Sequence, residues 1–114
     1  MNLNHSISAI ARALAQGEYS SVELTRAYLE QIAAHDGALN AFITVTDERA
    51  LEQAKAADAR RAKGENHPLL GVPLAHQDVF CTAGVRSSGA SRMLDDFIAP
   101  YDATVVSKLD QLGM

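Results

Sequence analysis

Ile7, Ile10, Ala11 and Leu14 recur at i, i+3, i+4 and i+7, a period that gathers them on one stripe of a helix. Gly17 follows where such a helix would stop, so the spacing predicts a short amphipathic helix over about 5–16. Ser20-Ser21-Val22-Glu23 has the form of a capping box, in which Ser20 accepts from a free amide and Glu23 reaches back to the Ser20 amide. Leu24, Tyr28 and Ile32 then repeat every fourth residue with Leu29 beside them, which predicts a second helix over about 20–35 that ends at Gly37. The β-prone run Ala41-Phe42-Ile43-Thr44-Val45 follows the turn-like stretch from Gly37 to Asn40 and reads as a strand at 41–45.

Glu48 to Lys63 holds strong helix formers with no proline or glycine, and Thr46 or Asp47 stands where a cap belongs, so a third helix is predicted over about 47–63. Its apolar face, Ala50, Leu51, Ala54 and Ala57, is mostly alanine. Such side chains bury little area each, and the helix depends on the surface beneath it. Its charged face, with Glu48, Glu52, Lys55, Asp58, Arg60, Arg61 and Lys63, reads as solvated.

After a polar loop at 64–68, Val72, Leu74 and His76 alternate with Pro73, Ala75 and Gln77, the pattern of a buried strand at 72–76. A loop rich in glycine and serine comes next, FCTAGVRSSGASRML. Asp102 then precedes Ala103-Thr104-Val105-Val106, with Leu109 and Leu112 on the same stripe and Gly113 ready to end it, which predicts a helix at about 103–112 capped by Asp102. Helices interleaved with strands give an expected α/β class, and neither a repeat nor a low-complexity linker interrupts it.

Composition narrows the function. The chain has 114 residues, enough for one ordinary domain and too few for two. A net charge of -4 argues against a face that binds nucleic acid by neutralising phosphates, so any RNA contact is expected to come through a partner. Cys81 is the single cysteine and cannot form an internal disulfide, no signal-peptide pattern opens the chain, and no apolar run approaches the roughly 20 residues that span a bilayer. The expected location is the cytoplasm.

Candidate chemistry centres on PLAHQDVF, residues 73–80, where the apolar alternation gives way to His76, Gln77 and Asp78. Polar side chains at the end of a buried strand are where α/β enzymes place their chemistry. His76 and Asp78 fall on one face of the expected strand, but two ligands without a third make a poor metal site, and structural hydrogen bonding is the better reading. Ser87-Ser88-Gly89-Ala90-Ser91 reads as a pocket wall rather than a nucleophile loop. Cys81 has no basic neighbour in sequence and reads as a buried, inert thiol; His5, His35 and His67 read as exposed.

The order GVPLAHQD, CTAGVRSSGASRML, PYDATVVSKLDQLG resembles the front of the amidase signature family. SSVELTRAYLEQI, LNAFITVT and ALEQAKAADARRAKGE are similar to the same region of one branch, the A component of the glutamyl-tRNA(Gln)/aspartyl-tRNA(Asn) amidotransferases, so the resemblance covers essentially the whole chain. It implies a mixed central sheet covered by helices and a Ser, cis-Ser, Lys hydrolase. In such a site a neutral lysine takes a proton through one serine and so activates a second serine to attack an amide, a variant of the triad logic. The amidotransferase branch hydrolyses glutamine and passes ammonia to a partner. The resemblance implies subunits B and C as partners, tRNA bound only through the partner subunit, and ATP and Mg²⁺ used there, with no cofactor or metal held by this chain.

Two departures stand against the match. Gln77 occupies the position of the family lysine, and a carboxamide donates and accepts hydrogen bonds but cannot take up the proton. Losing a positioned general base typically costs about 10² to 10⁴ in rate. The family's two serines lie in a segment downstream of Met114, so residues 1–114 are expected to be the incomplete N-terminal portion of a single amidase domain, inactive and marginally stable alone. Three readings stay open: a truncated A component, a noncatalytic interaction module or pseudogene product, and a fragment of another amidase acting on a small-molecule amide.

Overall fold

Helices are the regular elements of the computed structural model, which describes residue 1 and residues 3–114. Helix α1 spans Ile7–Gln16; the Ser6 hydroxyl accepts from the Ala9 amide at its start, and Gly17 closes it at φ 71°. Helix α2 spans Ser21–Leu39 and opens on the expected capping box, with both reciprocal bonds between Ser20 and Glu23 in place. Helix α3 spans Asp47–Ala62. A single 3₁₀ turn covers Arg92–Leu94, and α4 spans Thr104–Leu112, closed by Gly113 at φ 84°.

Local spacing ends α2 too early. Gly37 sits inside the helix, which runs on to Leu39. One glycine costs a helix interior only about 1 kcal/mol. The stop is set by Asn40, held in the left-handed region at φ 52°, and by Asp36, whose carboxylate accepts from the Ala41 amide at 2.7 Å and the Phe42 amide at 3.1 Å. Two expected caps also do other work or none. Thr46 stands at the start of α3 without a side-chain cap bond, and Asp102, expected to cap α4, accepts from the Ala83 amide at 2.7 Å while Ala103 occupies the cap position.

The expected strands and sheet are absent among the described residues, where the one β-type pairing is an isolated antiparallel bridge between Arg86 and Ile98. Burial alternates along 41–45, where Ala41, Ile43 and Val45 are exposed while Phe42 and Thr44 are half-buried. At 72–76, Val72 is buried and Leu74, Ala75 and His76 are exposed. A strand needs a neighbour to complete its ladder, and neither segment has one. The side-chain period is legible in the sequence; the partner that would convert it into a sheet is not.

Packing organises around α1, α2 and α3. Ile10, Leu14, Leu24 and Val72 form the buried core cluster, with Leu3, Tyr19, Tyr28 and Met114 against it. On α3 the small apolar stripe behaves as expected, with Ala54 and Ala57 buried. Its charged face is not merely solvated. Asp58 accepts from the Ser21 and Val22 amides at 2.8 and 3.1 Å, capping the neighbouring helix α2, and Arg61 donates to the Leu70 carbonyl at 2.5 Å.

These ties deliver the chain to the candidate site. The Ser21 hydroxyl donates to the Gly71 carbonyl and the Gly71 amide donates to the Gly113 carbonyl, both at 2.7 Å, pinning residue 71 between the start of α2 and the end of α4. A β-carbon at Gly71 would lie 2.9 Å from the Ser21 side chain, and its φ of 76° is itself unfavourable for other residues. No described helix is long and apolar enough to cross a membrane.

Candidate functional site

Val72 anchors one end of the segment that carries Gln77, through its place in the core, and Asp78 anchors the other. Between them Gln77 is exposed. Its carbonyl accepts from the Phe80 amide at 3.0 Å in a tight turn, and its carboxamide makes no hydrogen bond among the described residues. The side chain is therefore presented outward, free to meet another group but unable to act as a proton acceptor at useful basicity.

Asp78 is the best-connected polar residue of the region. Its carboxylate accepts from the Ser88 amide at 3.1 Å, the Ser88 hydroxyl at 2.5 Å and the Ala90 amide at 3.2 Å, while its main-chain carbonyl accepts from the Gly89 amide at 3.2 Å. Gly89 and Ala90 lie at φ 57° and 56°, two consecutive left-handed residues whose amides turn toward Asp78. Such a cradle of main-chain donors favours an anion, and here the chain supplies its own. The Ser88 hydroxyl bond, helped by the Ala90 and Ser88 amides and by Arg86, holds the Asp78 carboxyl below the usual carboxylate range against the opposing effect of burial. The structural hydrogen bonding expected of this pair is thus found at Asp78; His76 is exposed and makes no hydrogen bond among the described residues.

Ser87 and Ser88 are buried, and Ser88, Ala90 and Ser91 line an open hollow of about 240 Å³ with Ile43, Arg86 and Arg92. Asp95 pairs with Arg86 at its edge. The Ser88 hydroxyl is committed to a carboxylate that is a weaker base than usual, which leaves it structural rather than activated. Ser87 is likewise engaged, accepting from the Thr82 amide and donating to the Val85 carbonyl, both at 3.2 Å. A larger hollow of about 490 Å³, lined by Met1, His5, Glu18, Tyr19 and Glu23, shares no residue with this region.

Cys81 departs from the expected buried thiol: it is half-buried, and the thiol beside Tyr101 raises that phenol above its ordinary range. His5, His35 and His67 are exposed as read. Among the described residues no three of His, Cys, Asp and Glu gather where a metal ion could be held, so His76 and Asp78 find no third ligand. The role of Asp58 has no signal in local spacing, since its Ser21 partner lies 37 residues away.

Known proteins resemble this chain in sequence and in backbone. The family profile described as Amidase matches residues 23–114. The chain is 64% identical over 108 residues to the A component of the glutamyl-tRNA(Gln) amidotransferase of Azotobacter vinelandii, and 57% identical over 108 residues to that of Pseudomonas aeruginosa. Each match covers 95% of this chain and 22% of the relative, so the chain spans about a fifth of the length of the curated relatives it matches. Among solved structures, a chain described under an unexpected vestigial protein complex that reveals the evolutionary origins of an s-triazine catabolic enzyme superposes with a TM-score of 0.88 at 35% identity. That match covers 96% of this chain and 24% of the solved one.

Proposed function

The chain belongs to the amidase family, and from that premise we propose that it is part of the A component of a tRNA-dependent amidotransferase, the component that hydrolyses glutamine. The observation that carries the reading is identity of 57–64% to curated A components, sustained across 95% of the chain. In this reading the ammonia released goes to partner subunits B and C, where ATP and Mg²⁺ serve the conversion of Glu-tRNA(Gln) or Asp-tRNA(Asn). The tRNA meets the partner, which accords with the net charge of -4 here. The complex acts in the cytoplasm.

Gln77 takes the position of the family lysine in this reading, and Asp78 with its Ser88 anchor fixes that position against the 87–91 wall. The 114 residues alone do not turn over glutamine, because the amide at 77 accepts no proton and the family's serines lie outside them. Gln77 also favours a second reading, a noncatalytic module that keeps the family's surface. The experiment that separates the two supplies the missing part: the chain is joined to the portion of the Azotobacter vinelandii relative that follows its match, residue 77 is made lysine, and hydrolysis of glutamine is compared with that of small aliphatic and aromatic amides. Preference for glutamine supports the amidotransferase component, preference for another amide moves the parent to a small-molecule amidase, and no hydrolysis of any amide favours the module.

A further inference from the structure

We propose that Met93 is a site of reversible oxidation by peroxides, the methionine of this chain whose sulfur takes up oxygen as a free side chain does and without loss of the fold. The proposal stands on the surroundings of the three methionines and does not draw on the proposed function.

Those surroundings differ widely. Met93 is 95% exposed, whereas the next most exposed large apolar side chain among the described residues, Leu39, stands at 72%. Met1, at 63%, lines the larger hollow beside Tyr19. Met114 is half-buried and packs against the cluster of Ile10, Leu14, Leu24 and Val72.

The reaction needs access and little else. A thioether sulfur carries no proton to lose, so neither pH nor a neighbouring charge has to prepare it. It attacks one peroxide oxygen and the O–O bond breaks; the sulfur is oxidised by two electrons to the sulfoxide, and the other peroxide oxygen leaves as water. A dithiol restores the sulfide: the sulfoxide oxygen leaves as water and the two thiols are oxidised to a disulfide. All three sulfurs share this chemistry, so exposure sets the order among them.

Location sets the consequence. Met93 is the middle residue of the 3₁₀ turn Arg92–Leu94, which is held by the Leu94 amide on the Ser91 carbonyl at 3.1 Å and the Asp95 amide on the Arg92 carbonyl at 3.4 Å. Neither bond uses the Met93 side chain, and a side chain left in water contributes no burial for a polar sulfoxide to remove. At Met114 the same oxygen would enter the core cluster, where a polar group without a partner is costly. Oxidation is tolerated and repairable at Met93 and damaging at Met114.

The test treats the full 114-residue chain, carrying Cys81→Ser so that no thiol competes for the oxidant, with hydrogen peroxide. Peptide mass spectrometry follows the gain of one oxygen at each methionine, with N-acetylmethionine amide in the same solution as the free reference. Met93 should react within about twofold of the reference, and Met114 at least about fivefold more slowly. The far-UV circular dichroism should hold while Met93 alone is oxidised, and methionine sulfoxide reductases supplied with a dithiol should return the sulfide. Met93→Leu should remove the fast conversion and leave that of Met114 as it was. The parent chain with Cys81 alkylated gives the same readout should the serine substitution disturb folding. Met93 reacting several times more slowly than the reference, Met114 reacting as fast as Met93, or helical signal lost in step with Met93 oxidation each overturns the proposal.

Discussion

The carboxylate of Asp78 receives both the amide and the hydroxyl of Ser88, the hydroxyl at 2.5 Å, so two residues ten positions apart lock the segment carrying Gln77 to the wall beside it. Ser88 is 2% exposed, and its side chain has no water to turn to if the carboxylate is lost. Because the Asp78 carboxyl is held low, the lock is complete above the ordinary value of about 3.9 and is lost as pH falls below that toward the value in the folded chain. Carboxyl carbon titration by NMR should place Asp78 below the ordinary aspartate value of about 3.9. Ser88→Ala should move its midpoint up toward about 3.9, and an unmoved midpoint would show that the hydroxyl is not the cause.

A carboxylate on α3 holds the start of α2. Asp58→Ala removes the acceptor for the Ser21 and Val22 amides and leaves Arg61 without its 3.6 Å ion pair. By the usual worth of a helix cap the cost is about 0.5–2 kcal/mol. It should appear as a lower temperature at which half the helical far-UV signal is lost. Asp58→Asn, which keeps one acceptor, should recover part of the loss.

Two glycines should respond in opposite directions to alanine. Gly71→Ala places a methyl 2.9 Å from Ser21 at φ 76°, and a loss of more than about 1 kcal/mol is expected. Gly37→Ala, inside α2 with nothing within 4 Å, should stabilise by about 0.5–1 kcal/mol. Thermal melts of the two variants beside the parent chain check both signs, and destabilisation by Gly37→Ala would mean that α2 does not continue past His35.

Exposed apolar groups set the behaviour of the 114 residues in isolation. Leu74, Val79, Phe97, Ile98 and Tyr101 all stand at 36% exposure or more, and each uncovered side chain of this size forgoes roughly 1.5–3 kcal/mol of burial. The isolated chain should bind a hydrophobic dye such as ANS and lose its helical signal over a broad temperature range. A sharp transition with no dye binding would contradict this.

Much of this fold is legible in local spacing. The capping box at Ser20 and Glu23, the stops at Gly17 and Gly113 and the alanine stripe of α3 depend on residues a few positions apart, and each stands where the pattern puts it. What fails depends on distance. The β-prone run at 41–45 and the alternating segment at 72–76 have no ladder partner among the described residues, and neither signal alone makes a sheet. Local rules assign Asp58 to solvent and Asp102 to a cap, whereas each accepts from an amide far along the chain. At the candidate site the polar run 76–78 is legible as such, but that Asp78 seizes the 88–90 loop while His76 faces solvent is not.

The proposal that Gln77 stands where the family reaction needs a proton-accepting amine is tested most directly by rate. With the chain joined to the following part of the Azotobacter vinelandii relative, glutamine hydrolysis is measured for Gln77 and for Gln77→Lys under identical conditions. The lysine form should be faster by about 10² or more, the usual worth of a positioned proton acceptor. Equal turnover by the two forms would contradict the account.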